Sequence, residues 1–327
     1  MCFLGNRYAK GVSDISSEEG NLKRFSRICS LLEPYKPLTP DKVRTLINNR
    51  IGLTNKKVIG RHLRLLELLG IIERTQTIYV FTGIGRVFCE FLKDTDQSNE
   101  KLQPVEKNFY FERLFSPETA THFQLCLLLK TISLNSSAKR EPLIIAYFRK
   151  MKEFNIWKAK VIDHNLRSYE KNQQISPFFD NRFRCQQKWI ETLGLMEHGS
   201  LKLTEVGERV EQEVEKYTEN EIWTNPTRFE LLFAFDNDLM PVSTDTDESE
   251  LTDMFKETCE RIGKERRART DSVKYYMFYR LLNAHKYFDD LAFLPLLNLM
   301  VEKNVIESVM RGRDGKIHSV TLRLGAF

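Results

Sequence analysis

The sequence predicts a mainly α-helical fold carrying short β-hairpins. Three observations point there. Apolar residues recur at helical spacing through most of the chain, the block 58–92 returns in altered form as 181–214, and a further hairpin pattern lies near residue 314. With 327 residues, 41% apolar and 29% charged, the composition is that of a globular chain of more than one domain and excludes wholesale disorder. The longest apolar runs, Leu125–Leu129 and Leu291–Leu297, fall far short of the roughly 20 residues of a membrane-spanning helix. The opening MCFLGNRYAKG has no basic stretch followed by an apolar one, so no secretory signal is expected.

Residues 1–21 read as a leader. In 22–94, Leu22, Phe25, Ile28 and Leu31-Leu32 mark a helix that Pro34 and Pro37 end. Thr39-Pro40-Asp41 opens a second helix, with proline in the first turn and an acid beside it, and Val43, Leu46 and Ile47 form its inner face. After the turn at Gly52 and Thr54-Asn55, a third helix runs to residue 69 with Leu63, Leu66 and Leu69 inward; Gly70 supplies the left-handed residue that ends it. A strand, the polar turn Arg74–Thr77 and the strand Ile78–Phe81 follow, and Thr82 caps a helix over 83–92.

Residues 95–107 read as a polar linker. Within 108–216, helices are expected at Thr119–Ile132, Pro142–Phe154, Trp157–Tyr169 and Asn181–Leu193, with Lys171–Pro177 as an inserted loop. Then the block repeats. Leu69-Gly70-Ile71-Ile72-Glu73 answers Leu193-Gly194-Leu195-Met196-Glu197, and Phe81-Thr82-Gly83-Ile84-Gly85 answers Leu203-Thr204-Glu205-Val206-Gly207. The offset falls from 124 to 122 between the blocks, so the second turn is two residues shorter. Helix, hairpin, helix is the ending of a winged helix-turn-helix, and 22–94 has its beginning as well. The expected fold is therefore a set of tandem winged helix-turn-helix modules. Residues 217–260 read as an acidic spacer, flexible over 236–253. Residues 261–327 read as a third such module, with helices at Ser272–Phe288 and Asp289–Val301 and a hairpin turning at Asp314-Gly315; one of its helices is missing or merged.

The net charge of +5 conceals a block pattern. Lys and Arg outnumber Asp and Glu by 14 to 6 in 22–94, by 12 to 5 in 139–190 and by 13 to 7 in 261–327, whereas 205–260 holds 4 against 17. Basic modules suit a polyanion, since each cation set on a phosphate releases condensed counterions. The expected partner is double-stranded DNA, with a separate nuclease or other protein subunit as a second. The candidate contacts are Asn55, Lys56, Lys57, Arg61, His62 and Arg64 on the third helix with Arg74 and Gln76 on its hairpin; Asn181, Arg182, Arg184, Gln187 and Lys188 on the repeat's helix; and Arg266, Arg267, Arg269, Arg311, Arg313 and Lys316 in the last module. Arginine can grip guanine, and asparagine adenine, through two hydrogen bonds in the major groove. Trp157, Trp189 and Trp223 read as core rather than as stacking platforms.

Six cysteines stand at least 27 residues apart and six histidines are scattered, so no metal-ligand spacing is present and reduced, packed thiols in a cytoplasmic, nucleoid-associated protein are expected, without a cofactor. There is no GxxxxGK[ST] phosphate loop, GxSxG elbow or HExxH pair. No (Asp/Glu)-x-Lys triplet is read as following a strand with a second acid before it, the pattern of a Mg²⁺-dependent endonuclease.

On the two LG-x-x-E and (F/L)T-x-x-G blocks quoted above, the chain resembles the DNA-recognition region of type IIS restriction and nicking endonucleases, the FokI- and AlwI-like enzymes, an ending shared by many bacterial and archaeal winged-helix regulators. The resemblance covers about 22–216. It implies sequence-specific DNA binding as the recognition part of a restriction or defence system, or as a regulator. It departs from the family in having no recognisable nuclease domain. The other readings are a winged-helix protein-interaction scaffold within a nucleoprotein complex and an endonuclease whose site shows no motif.

Overall fold

In a computed structural model of the protein, the structure describes residues 20–32, 36–75, 77–116, 121–135, 139–154, 159–216, 227–243, 247–264 and 266–323. These residues form fourteen α-helices and seven short strands. No helix among them is long and apolar enough to cross a membrane.

The first unit runs α1 (Leu22–Leu31), α2 (Pro40–Ile51), α3 (Lys56–Leu68), β1 (Ile72–Arg74), β2 (Tyr79–Phe81) and α4 (Gly83–Lys93). Each helix starts on a residue whose side chain accepts a first-turn N–H: Asn21, Thr39, Asn55 and Thr82. β1 and β2 pair antiparallel with Ile72 opposite Phe81, and Leu38 bridges Tyr79 on the other edge of β2. The lateral order is thus Leu38, β2, β1.

The last unit repeats this order: α12 (Glu248–Ile262), β4 (Arg267–Arg269), α13 (Thr270–Leu282), α14 (Phe293–Glu302), β6 (Ile306–Arg311) and β7 (Ile317–Leu322), with the sheet laid out β4, β7, β6. Apart from β5 (Lys286–Tyr287), which lies between α13 and α14 and pairs in parallel with Met240–Pro241 rather than in this sheet, both units run helix, strand or bridge, helix, helix, strand, strand, and the last strand lies in the middle.

Between them lie α5 (Pro104–Phe115), α6 (His122–Leu134), α7 (Arg140–Glu153), α8 (Ala159–Asn172), α9 (Pro177–Leu193), α10 (Glu205–Lys216) and α11 (Arg228–Phe235). Here the expected second hairpin is reduced to a single bridge, Met196 to Leu203, because a turn two residues shorter leaves less chain to pair. The predicted loop at 171–177 contracts to 173–176, since α8 runs through Asn172 and α9 starts at Pro177 on the Ser176 cap.

Two expected connectors are structural elements. The 95–107 segment is docked on α1: Lys23 Nζ lies 2.8 Å from the Glu106 carboxylate, both buried, and Arg27 Nε donates to the Gln97 carbonyl at 3.0 Å. The Glu106 carboxylate also accepts the Gln103 N–H at 2.8 Å, and removing either partner of this buried pair would strand a charge in the core. The acidic stretch 236–253 contains β3 (Met240–Pro241) and the start of α12. Leu251, Met254, Phe255 and Cys259 point into the core while Glu250, Asp253, Glu257 and Glu260 face out, so acids on one face hid an amphipathic helix, the one expected to be missing or merged. The leader through residue 19 and residues 217–226 lie outside the described residues, as do Trp157 and Trp223; Trp189 is fully buried.

One core runs from α1 through α11 and takes in Tyr276, Phe278, Tyr279 and Leu282 of α13; a second fills the last unit. α5 is the hub. Phe109 stacks on Phe88 of α4 at 3.8 Å, Arg113 Nε donates to the Leu69 carbonyl at 2.8 Å, and Glu112 accepts the Tyr279 hydroxyl at 2.5 Å and lies 2.9 Å from Arg228 of α11. Burial, then the adjacent Glu112 carboxylate, hold the Tyr279 hydroxyl well above its ordinary pKa, so it remains a donor. The five described cysteines are all buried thiols.

Candidate nucleic-acid interface

The repeated blocks build the same hydrogen-bonded device twice. After α3, Gly70 takes a φ of 69° and Ile71 N–H reaches back to Leu66 O at 2.9 Å; after α9, Gly194 takes 83° and Leu195 N–H reaches Ile190 O at 2.8 Å. Thr82 Oγ1 donates to Gly70 O at 2.6 Å and accepts Gly85 N–H at 3.0 Å; Thr204 Oγ1 donates to Gly194 O at 2.6 Å and accepts Gly207 N–H at 3.1 Å. A Cβ on Gly85 would stand 1.9 Å from Ile71 O, and one on Gly207 would stand 1.9 Å from Leu195 O. Each glycine is the only residue that lets the following helix pack on the preceding turn.

The two helices that these devices position differ in surface chemistry. On α3, Lys56, Lys57, Gly60 and Arg64 are exposed and Arg61 is half-buried, while Val58, Ile59, Leu63, Leu65 and Leu66 face the core. Lys56 and Lys57 have no ion pair among the described residues. Asn55 is the cap, its Oδ1 accepting Lys57 N–H at 3.0 Å, so its carbonyl serves its own helix. His62 is not on this face: it is fully buried, its Nδ1 2.8 Å from Val58 O and its ring 5.1 Å from that of Phe25. It sits one residue beyond the outer stripe, where a helix turns inward. Arg74 is exposed on β1, its guanidinium 5.9 Å from the Tyr79 ring centre; Gln76 lies outside the described residues. Glu67, half-buried between α3 and the hairpin, has its carboxyl pKa raised by burial against the opposing pull of Arg74 and Arg64.

On α9 the expected contacts are mostly engaged within the chain. Arg182 is buried and donates to Gln124 Oε1 at 2.7 Å, where Gln186 also donates at 2.8 Å; this network sits in the core, so Arg182 is not a surface contact. Arg184 pairs with Asp180 at 2.9 Å, and the same carboxylate holds Arg140. Gln187 donates to Glu191 at 2.9 Å, and the Lys188 stem packs on Gly20. Asn181 is exposed.

In the last unit Arg266 reaches Leu322 O at 3.2 Å and Glu307 at 3.3 Å, Arg267 donates to Ser319 Oγ at 3.1 Å, and Arg269 pairs with Asp271 at 3.1 Å. Arg311 donates to Gly315 O at 3.1 Å across the hairpin turn, while Arg313 and Lys316 are exposed at its tip. The turn also contains the chain's single (Asp/Glu)-x-Lys triplet, Asp314-Gly315-Lys316. Contrary to expectation it does follow a strand, β6, that carries Glu307, but Asp314 Oδ1 is occupied by Lys316 N–H at 3.1 Å. This unit adjoins the first one closely: the Asp271 carboxylate lies 2.5 Å from where a Cβ on Gly83 would stand, so the starts of α4 and α13 touch. The basic strand β4 therefore ends beside the residues that follow hairpin β1–β2.

Two other polar clusters stand elsewhere. Asp236, Asp238 and His285 bring three donor atoms within 4.8 Å, and two of these groups already meet, His285 Nδ1 lying 2.7 Å from Asp236. A groove between α7 and α8 sets Arg149, Lys152 and Arg167 against Glu153, Asp163 and Glu170, which pair with one another or with neighbours. Sequence reasoning missed Gly60. The available signal was a glycine inside an amphipathic helix on its polar face. Comparison with known proteins matches the chain to no family model, no curated protein and no solved structure.

Proposed function

We propose that the protein binds double-stranded DNA sequence-specifically, with α3 as the helix that enters the major groove. Its hairpin β1–β2, with the exposed Arg74, and the tip of hairpin β6–β7, with the exposed Arg313 and Lys316, flank it on the phosphates. On this reading the first and last units are winged helix-turn-helix modules; the support is their shared element order and the central position of the last strand in each sheet. The chain would serve as the recognition part of a restriction or defence system or as a regulator, and its resemblance to type IIS recognition regions is the reason to expect a separate nuclease subunit.

One observation carries the reading: the outer face of α3 is built against the helix's own stability. Its first turn holds Lys56 and Lys57 and no acid, although cations there oppose the positive end of the helix dipole. Gly60 lies mid-helix on the exposed face with open space around it, although alanine would be better by about 0.5–1 kcal/mol. Both features suit a polyanion approaching the helix backbone closely. In α9, by contrast, Ser176 caps, Pro177 leads and Asp180 lies in the first turn, the arrangement of a helix serving only the fold.

Selection of duplexes from a random pool tests this. The expected result is an enriched motif, a preference relaxed by Arg64→Ala, and a uniform loss of affinity across sequences with Lys57→Ala. Retention of no duplex above competitor, or binding indifferent to salt, would refute it.

A further inference from the structure

α14 occupies in the last unit the place that α3 occupies in the first, yet its surface is of another kind. Over Phe293–Glu302 it has no lysine or arginine, so it cannot neutralise phosphate. Phe293, Leu296, Leu297 and Met300 fill the core, whereas Leu291 and Leu294 with Asn298 and Val301 face out. Leu291, 83% exposed, is the most exposed large apolar side chain among the described residues, with Leu294 at 57% and Val301 at 47%. Leu291 stands in a single 3-10 turn, Asp290–Ala292, that runs into α14, and the spacing from 291 to 294, 298 and 301 is 3-4-3, the seam that lets one helix lie along another, with a single asparagine inside it.

We propose that this face pairs with the same face of a second copy of the chain, the two α14 helices antiparallel across a two-fold axis. The stripe is self-complementary in that arrangement. Leu291 of one copy falls opposite Val301 of the other and Leu294 opposite Asn298, with the axis passing by residue 296. The ends match in charge: the acidic start carries Asp289 and Asp290, and the C-terminal end carries Lys303. Antiparallel pairing brings Asp289 toward Lys303 of the other copy and opposes the two helix dipoles. Asp290 is already held by Lys274 at 3.1 Å, and Lys303 also meets Glu248, so the contact adds to an existing surface network. Three side chains cover less than the roughly 800 Å² per partner of a standard interface, so the pairing is a weak, concentration-dependent one. Given the DNA reading above, a two-fold pair would read an inverted repeat; that consequence rests on the DNA reading, whereas the pairing itself does not.

Sedimentation equilibrium of the full chain without DNA tests the pairing. The mass should climb from monomer to dimer as concentration rises. Leu291→Glu and Leu294→Glu should each weaken association by roughly tenfold or more while the circular-dichroism melt stays in place, since both side chains are exposed. Asp289→Lys and Lys303→Asp should each weaken it, and the two together should restore it. A monomer at every concentration would overturn the proposal and leave the face to a different protein or to another part of this chain. A dimer indifferent to both leucine variants would overturn it equally.

Discussion

α3 and α9 end in the same turn, held by the same threonine and cleared by the same glycine, yet they present different outer faces. α3 exposes Lys56, Lys57 and Arg64 around Gly60, whereas α9 ties Arg184 to Asp180, Gln187 to Glu191 and Arg182 to Gln124. The buried side of the repeat dictates the fold of both copies. The outer side, which the fold leaves open, has diverged into a cationic stripe in one copy and an internally satisfied surface in the other. A repeated fold signature is therefore no guarantee of a repeated interface.

The comparison can be broken first at what the copies share. Gly85→Ala and Gly207→Ala should each destabilise the protein by about 1–3 kcal/mol or more, by similar amounts, because each forces a methyl into a backbone carbonyl. Unequal losses in denaturant melts would mean that the two turns are not equivalent. Next comes the contrast between arginines. Arg182→Ala should cost about 1–3 kcal/mol of stability by emptying a fully buried site and removing one of the two donors to Gln124 Oε1, whereas Arg64→Ala should stay within about 0.5 kcal/mol in the same melts and instead weaken duplex binding.

Gly60→Ala sharpens the account further because its two effects have opposite signs. Stability should rise by about 0.5–1 kcal/mol, since nothing in the chain obstructs the methyl, while duplex affinity should fall. A rise in both would show that no partner approaches the helix there. The smallest effect concerns Glu67. Its carboxyl pKa is raised in the folded state, so its contribution to stability is present below the unfolded value and is lost as pH rises through the folded one. Glu67→Gln should therefore flatten the stability-versus-pH curve in the weakly acidic range and modestly tighten duplex binding by removing a negative charge between Arg64 and Arg74.

The helical framework and the repeat were legible because capping residues, left-handed glycines and 3.6-residue spacing are local signals. Thr82 and Thr204, with Gly85 and Gly207, are readable from a dozen residues of context. What failed to read was set by partners distant in sequence. Glu106 looked like linker because Lys23, 83 residues away, is what buries it. α12 looked like spacer because acids on one face masked Leu251, Phe255 and Cys259 on the other. Arg182 and His62 looked like surface cations because helical spacing alone does not reveal how far a core extends around a helix; Gln124 and Phe25, which enclose them, come from other helices.

The most direct test of the central claim is the salt dependence of duplex binding for two paired variants, Lys57→Ala/Arg64→Ala on α3 and Arg184→Ala/Lys188→Ala on α9. The account predicts that the α3 pair lowers the slope of log affinity against log salt by about one for each phosphate the helix no longer neutralises, while the α9 pair leaves it nearly unchanged. Equal slopes for the two pairs, or a larger change from the α9 pair, would contradict it.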